Sequence, residues 1–368
     1  MTRVLVVNAG SSSLKLRLLG ADGTIEAAHD VGQWAGDADP SVLEPFRDAL
    51  RAADAVGHRV VHGGDEFCDA TVLDDAVIAR IEALTPLAPL HQPRALAAIR
   101  AVRAARPDVP AFACFDTAFH ASLPAAAATY ALPEEWRRRW GLRRFGFHGL
   151  SHRYAAGRAA DLVGRPVADL RIVTCHLGAG ASLCAVRGGR SVDTTMGFTP
   201  LEGLVMNTRS GSVDPGLVLW LVTEAGMDAA EVTTALERSS GLAGLTGTSG
   251  DLREVLAAAG AGDARARLGV DVYVHRLRRE IAAMVAALGG LDVLVFTGGV
   301  GEHLPAVRAA AAEGLGFLGV AIDGERNAST TGDAEITGGA ASTRTVVVTS
   351  REDLEIARQV RTSLSSIG

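Results

Sequence analysis

The stretch VLVVNAGSSSLKLRLL, Val4 to Leu19, decides the fold. Its first half is an apolar, β-branched run that ends in a glycine turn. Its second half returns with apolar residues at alternate positions, which predicts an antiparallel hairpin. The same grammar recurs at Leu170–Val192 (LRIVTCHLGAGASLCAVRGGRSV), with His176 at the mouth of a small-residue turn. A third version, Leu291–His303 (LDVLVFTGGVGEH), runs a buried strand into glycines and then a helix. Two similar hairpin units far apart in one chain predict a duplicated α/β unit.

Around these turns lie helix-like stretches at Ser41–Ala53, Asp74–Ala83, Pro93–Ala105, Ser151–Leu162, Pro215–Glu224, Asp263–Ala287 and Leu304–Glu313. Strands mixed with helices indicate an α/β protein with helices packed on sheets. The last strand runs into SREDLEIARQVRTSL, a helix of about four turns. Ser350 and Asp353 have the spacing of a capping box there.

Composition narrows the class. The 368 residues suffice for two domains with sizeable cores. The net charge of −6 argues against a nucleic-acid partner. No apolar run approaches the roughly 20 residues of a membrane helix, and no signal core opens the chain, so the expectation is a cytoplasmic protein. Cys68, Cys114, Cys175 and Cys184 show no metal-ligand spacing, and the last three sit in apolar text, as buried free thiols would.

Glycine-rich turns let backbone N–H groups approach phosphate oxygens, and three of them point to a phosphate cradle. There is neither a GxxxxGK[ST] loop nor a protein-kinase signature set. Of 36 basic residues, 35 are arginine; the single lysine, Lys15, follows the first turn, where a compact ammonium suits a phosphate. Isolated charges in apolar text add to this: Arg59 in GHRVVHGG, Asp116 in FACFDTAFH, His148 in RRFGFHGLSH and Arg209 in MNTRSGSVDPG. A buried charge is costly unless paired, and arginine forks match carboxylate or phosphate. A set of internal salt bridges is the other reading of these residues.

Taken in order, VNAGSSSLK, GHRVVHGG, PLAPLHQP, FDTAFH, FGFHGLSH, CHLGAGAS, TTMGFTPLEGLVMNTRSGSVDPG, FTGGVGEH and TSREDLEIAR resemble the acetate/propionate kinase family of the actin, Hsp70 and sugar-kinase superfamily. The resemblance runs from Val4 to about Arg358. It implies two RNase H-like (actin-like ATPase) domains facing across a nucleotide cleft, here residues 1–117 completed by 351–368, and residues 118–350. It implies reversible Mg²⁺-dependent phosphoryl transfer (Mn²⁺ being a substitute) from ATP to a short carboxylate such as acetate, giving an acyl phosphate and ADP, in a homodimer.

The resemblance also implies roles. Asn8 and Glu352 would hold Mg²⁺, through waters. Lys15 would meet the nucleotide phosphates. Arg59 and Arg209 would clamp the carboxylate and the moving phosphoryl group, Asp116 would stand near the attacking oxygen, and His148 would donate to the transition state. His176, Leu177, Gly178, Ala179 and Gly180, with Asp251, Leu252 and Arg253 and with Gly299, Val300, Gly301, Glu302 and His303, would form the nucleotide site. Val61, Leu90, Phe147 and Pro200 would take the alkyl end. His91, His120 and His152 read as hydrogen-bonded structural histidines.

Phosphoryl transfer needs mainly in-line positioning and charge neutralisation. A carboxylate is ionised at neutral pH, so Asp116 is expected to position rather than to abstract a proton. Three departures from the family pattern stand out: HLGAG for HLGNG, GEH for GEN, and Asn207 for the glycine before TR. The first two, at Ala179 and His303, fall in the expected nucleotide site and bear on nucleotide preference and affinity, not on the reaction class. A propionate or mixed short-acyl kinase is the alternative within the class. A nucleotide-switch ATPase on the same fold is the alternative outside it.

Overall fold

Two six-stranded sheets with the same strand order make up the chain. In a computed structural model, all residues are described except Met1, Ser11, Ser12, Gln33, Ala35, Asp37, Ala38 and Gly368. The first sheet contains β1 (Val4–Ala9), β2 (Ser13–Leu19), β3 (Ile25–Gly32), β4 (Ala55–Val60), β5 (Thr71–Val72) and β6 (Ala111–Phe115). The second contains β7 (Arg171–Leu177), β8 (Ala181–Arg187), β9 (Arg190–Thr194), β10 (Val293–Thr297), β11 (Ala334–Glu335) and β12 (Arg344–Val347). The orders are β3-β2-β1-β4-β6-β5 and, read in the matching direction, β9-β8-β7-β10-β12-β11. In each, a three-stranded antiparallel meander is followed by two parallel strands and a short antiparallel edge. The duplication expected from the two hairpins is therefore present strand for strand.

The described chain packs as two compact units. One holds Met1–Ala121, Phe147–Tyr154 and Arg351–Gly368, and the other holds Ser122–Gly146 and Ala155–Ser350. In the first, period-two alternation sorts the sheet into two faces. Leu5, Val7, Leu14, Leu16, Val56, Val60, Ala113 and Phe115 pack with the helix Gln92–Ala105 on one face. Val4, Val6, Leu19, Ala55, Phe112 and Cys114 pack against Ile356, Ala357 and Val360 of the terminal helix Glu352–Ile367 on the other. Gly57 belongs to that second face, because a Cβ there would lie 2.5 Å from Ile356 Cγ2. The helix approaches so closely that only glycine fits.

The terminal helix has 16 residues, as its length in the sequence suggested. Its start differs from a capping box. The Ser350 N–H donates to Glu302 Oε1 (2.9 Å) and Asp353 pairs with Arg351 (2.9 Å). A nearer carboxylate outcompetes the one three residues ahead. Cys114, Cys175 and Cys184 are buried free thiols and Cys68 is exposed. Among the described residues no helix is long and apolar enough to cross a membrane.

Candidate active site

The polar residues of the first unit are the last members of an otherwise apolar series. Val4, Val6 and Asn8 share a face of β1; Ala55, Gly57 and Arg59 share it on β4; Phe112, Cys114 and Asp116 share it at the end of β6. These three strands are parallel neighbours, so alternation alone delivers an amide, a guanidinium and a carboxylate to one end of one face. Glu352, the first residue of the terminal helix, reaches the same end. Arg59 Nε and Nη2 donate to Asp116 Oδ1 and Oδ2 at 3.0 and 2.6 Å. Arg59 Nη1 donates to Asn8 Oδ1 (3.2 Å), Asn8 Nδ2 donates to Glu352 Oε2 (3.1 Å), and Arg59 Nε lies 3.8 Å from Glu352 Oε2.

Asp116 is 1% exposed, Arg59 and Glu352 15% each. Burial pushes the Asp116 carboxyl above the usual carboxylate range, while Arg59 pulls it back. Burial works against the Arg59 charge, yet Asp116 and Glu352 outweigh it and hold Arg59 above its ordinary value. The bidentate geometry makes the charged pair the stable form. Two carboxylates against one guanidinium leave the cluster one negative charge in excess. Lys15 stands directly across from Asn8 in the hairpin register and is exposed. Cross-strand partners share a face, so its ammonium belongs to the same end of the sheet.

His148 is the one non-glycine among the described residues with a left-handed backbone, φ 55°. Two bonds hold its turn to the segment after β6. The Gly149 N–H donates to the Asp116 carbonyl (2.8 Å) and His120 Nε2 lies 3.0 Å from the Phe147 carbonyl. A carbonyl only accepts, so this nitrogen of His120 carries the proton. Phe147 is fully buried beside the His62 ring, 5.5 Å between centroids; Val61 is also buried, and Leu90 is exposed.

In the second unit, Arg209 is half-buried. It donates to the Pro200 carbonyl at 3.4 Å and approaches Met206 Sδ at 3.7 Å, and no carboxylate of the described residues pairs with it. Burial lowers its pKa, with Glu237 opposing. His176 sits near the end of β7, and the following turn closes with Gly178 N–H to the Gly180 carbonyl (3.0 Å). A Cβ at Gly298, φ 76°, would lie 2.7 Å from the Leu177 carbonyl, so the third glycine turn packs directly on the second. Ala179, Gly299 and His303 are exposed; Leu177, Leu252 and Gly301 are buried. Val300 is half-buried. Asp251 caps the helix Leu252–Gly260 through the Arg253 N–H (2.9 Å) and pairs with the Arg253 side chain, and these bonds hold its pKa down at about 2.

Three features escaped the sequence reading. Glu302 holds the Ser350 amide, in addition to whatever it does for a ligand. Arg308, fully buried, donates to the carbonyls of Gly301 and Glu302 (2.8 Å each) and of Asn327 (2.7 Å). Arg144, Glu202 and Tyr130 form a cluster around the MGFTPLEG segment.

Comparison with known proteins agrees across the whole chain. The Acetokinase family model matches residues 42–358. An acetate kinase of Leifsonia xyli is 47% identical over 390 residues, spanning 98% of both chains. One of Gloeobacter violaceus is 51% identical over 323 residues, 88% of this chain and 77% of the relative. The crystal structure of Porphyromonas gingivalis acetate kinase superposes with TM-score 0.92 at 35% identity, covering 99% of this chain and all of that one. A propionate kinase from Francisella tularensis gives 0.89 at 33% identity, over 98% and 99%.

Proposed function

The chain belongs to the acetokinase family, a family of phosphotransferases with a carboxyl acceptor on the two-domain actin-like fold, and from that premise we propose that it phosphorylates acetate with ATP, reversibly, giving acetyl phosphate and ADP. The observation that carries the substrate reading is Arg209. A half-buried guanidinium whose charge burial disfavours, and which bonds no carboxylate among the described residues, suits an anionic ligand.

The acetate carboxylate is ionised at neutral pH and attacks phosphorus unaided; an oxygen–phosphorus bond forms as the bond to the ADP oxygen breaks. Asp116 has both oxygens on Arg59 and its backbone carbonyl on Gly149. It therefore aims Arg59 and does not serve as base. We assign Arg59 and Arg209 to neutralising carboxylate and phosphoryl charge, His148 to donating to the phosphoryl oxygens, and Lys15 to the nucleotide phosphates. Val61, Phe147, Pro200 and the exposed Leu90 are assigned to the alkyl end. The segments at 176–180, 251–253 and 299–303 are assigned to the nucleotide.

The Asn8–Glu352 pair fits a magnesium ion. Mg²⁺ takes one or two protein oxygens and keeps waters and phosphates for the rest, and the cluster's excess negative charge favours a cation. Bound there, the ion would neutralise phosphate charge. Helix Pro215–Thr223 exposes Leu217, Leu219 and Trp220 together; such a patch suits a second copy of the chain, and we propose a homodimer. Buried free thiols suit a reducing cytoplasm.

An acyl hydroxamate assay across formate, acetate, propionate and butyrate tests the reading. Acetate-dependent hydroxamate is expected. ATP turnover that is indifferent to added carboxylate would point to a switch ATPase. Propionate remains the second reading, because a methylene is worth only about 0.8 kcal/mol of burial and a propionate kinase superposes closely.

A further inference from the structure

Strand β9 ends at Thr194, and the chain from there to Glu202 has no regular structure to hold it. Side chains do so instead. Arg144 Nη1 donates to three successive carbonyls, Thr194 (3.2 Å), Thr195 (3.2 Å) and Met196 (3.0 Å), and Nη2 donates to Glu202 Oε1 (2.7 Å). One guanidinium thus ties both ends of the segment. The Tyr130 hydroxyl donates to Glu202 Oε2 (2.6 Å) and accepts from the Phe198 N–H (2.9 Å), which ties the middle to the end. Burial raises the Tyr130 pKa, and the bond to Glu202 raises it further, so the hydroxyl remains a neutral donor.

Gly197 lies inside this buckle. A Cβ there would be 1.8 Å from Glu202 Oε2 and 2.1 Å from the Tyr130 oxygen. Its carbonyl accepts from the N–H groups of Phe145 and Gly146 (3.1 and 3.2 Å). The segment carries Pro200 two residues before Glu202, and the Pro200 carbonyl accepts from Arg209. The clamp therefore decides where a proposed wall of the alkyl site stands, and where the unpaired guanidinium is held.

We propose that Arg144, Glu202 and Tyr130 are positioning residues that set acyl-chain selectivity by fixing Pro200 and, through its carbonyl, Arg209. The proposal rests on the assignment of Pro200 to the alkyl site. None of the three needs to touch the reacting atoms. Freed from the clamp, the irregular chain between Thr195 and Glu202 regains backbone freedom worth about 1 kcal/mol per residue released, and the wall recedes from a short acyl chain.

The test uses the full-length enzyme with acetate and propionate. Tyr130→Phe removes one hydroxyl and keeps the ring. It is expected to shift the propionate-to-acetate ratio of kcat/KM upward by roughly three- to ten-fold, the scale of one lost hydrogen bond. The shift should sit in KM for the carboxylate, with KM for ATP within about two-fold of the parent. Glu202→Gln preserves volume and should shift the ratio in the same direction; it decides the matter if Tyr130→Phe does not fold. Pro200→Ala is measured beside them. If Pro200→Ala moves the ratio and the clamp variants lower only the melting temperature, the clamp is merely structural and the inference is overturned. If Pro200→Ala leaves the ratio unmoved, the alkyl-site assignment itself fails.

Discussion

Replacing Asp116 with Asn asks whether this carboxylate positions or catalyses. Asn has the same shape, so no cavity opens. It cannot, however, offer Arg59 two acceptor oxygens; one bond of the fork at 3.0 and 2.6 Å becomes a donor facing a donor. Arg59, 15% exposed, then keeps a single neutral bond to the substituted side chain, with Glu352 at 3.8 Å and the Asn8 amide oxygen as its other partners. Removing one partner of a buried pair costs about 3–5 kcal/mol. The surviving Glu352 contact and the relief of burying Asp116 place the expected loss at the low end, about 3 kcal/mol. Urea unfolding at neutral pH reads it directly. In steady-state hydroxamate assays, a misaimed Arg59 should raise KM for acetate by at least about ten-fold and also lower kcat, with the shape of the pH profile unchanged. An unfolding free energy within about 1 kcal/mol of the parent would show that the pair does not hold this end of the sheet. Loss confined to kcat, with the acid limb of the profile gone, would make Asp116 a base after all.

Other perturbations follow from the same geometry. His58 is buried with neither ring nitrogen hydrogen-bonded among the described residues, and burial lowers its pKa to about 3; His62 and His120 are likewise lowered to about 4. Between those values and the unfolded pKa near 6.5, only the unfolded chain binds these protons. Stability is therefore complete above about pH 6.5 and falls as pH drops, by about 2 kcal/mol per histidine at pH 5. His58→Leu should remove about a third of that drop in urea titrations at pH 7.5 and 5; an unaltered drop refutes the assignment. Gly149→Ala would place a Cβ 2.3 Å from the Asp116 carbonyl and 2.9 Å from Phe119 Cβ, so it should cost about 1–3 kcal/mol and displace His148; normal turnover and melting would contradict this. Arg209→Lys should leave activity reduced by roughly 10²-fold, because the ammonium loses the planar fork; near-parental turnover would remove Arg209 from the site.

The residues from Val4 to Leu19, read alone, established a hairpin, and the echo at Leu170–Val192 established that the unit is repeated, because alternation and turn chemistry are local properties of the chain. Alternation also contained the candidate site in outline: Asn8, Arg59 and Asp116 each end a series of apolar residues two apart, and parallel strands carry series ends to the same edge. What those polar groups do to one another was not written there. Whether Arg59 pairs with Asp116, Glu352 or a substrate depends on distances between residues far apart in the chain, Arg59 and Glu352 among them, which only packing of the terminal helix on Gly57 sets. The expected capping box at Ser350 gave way to Glu302 for the same reason: a local pattern offers a bond, and a tertiary neighbour with better geometry takes it. The Arg144–Glu202–Tyr130 clamp had no periodic signature at all, since irregular chain is held by side chains whose partners are chosen in three dimensions.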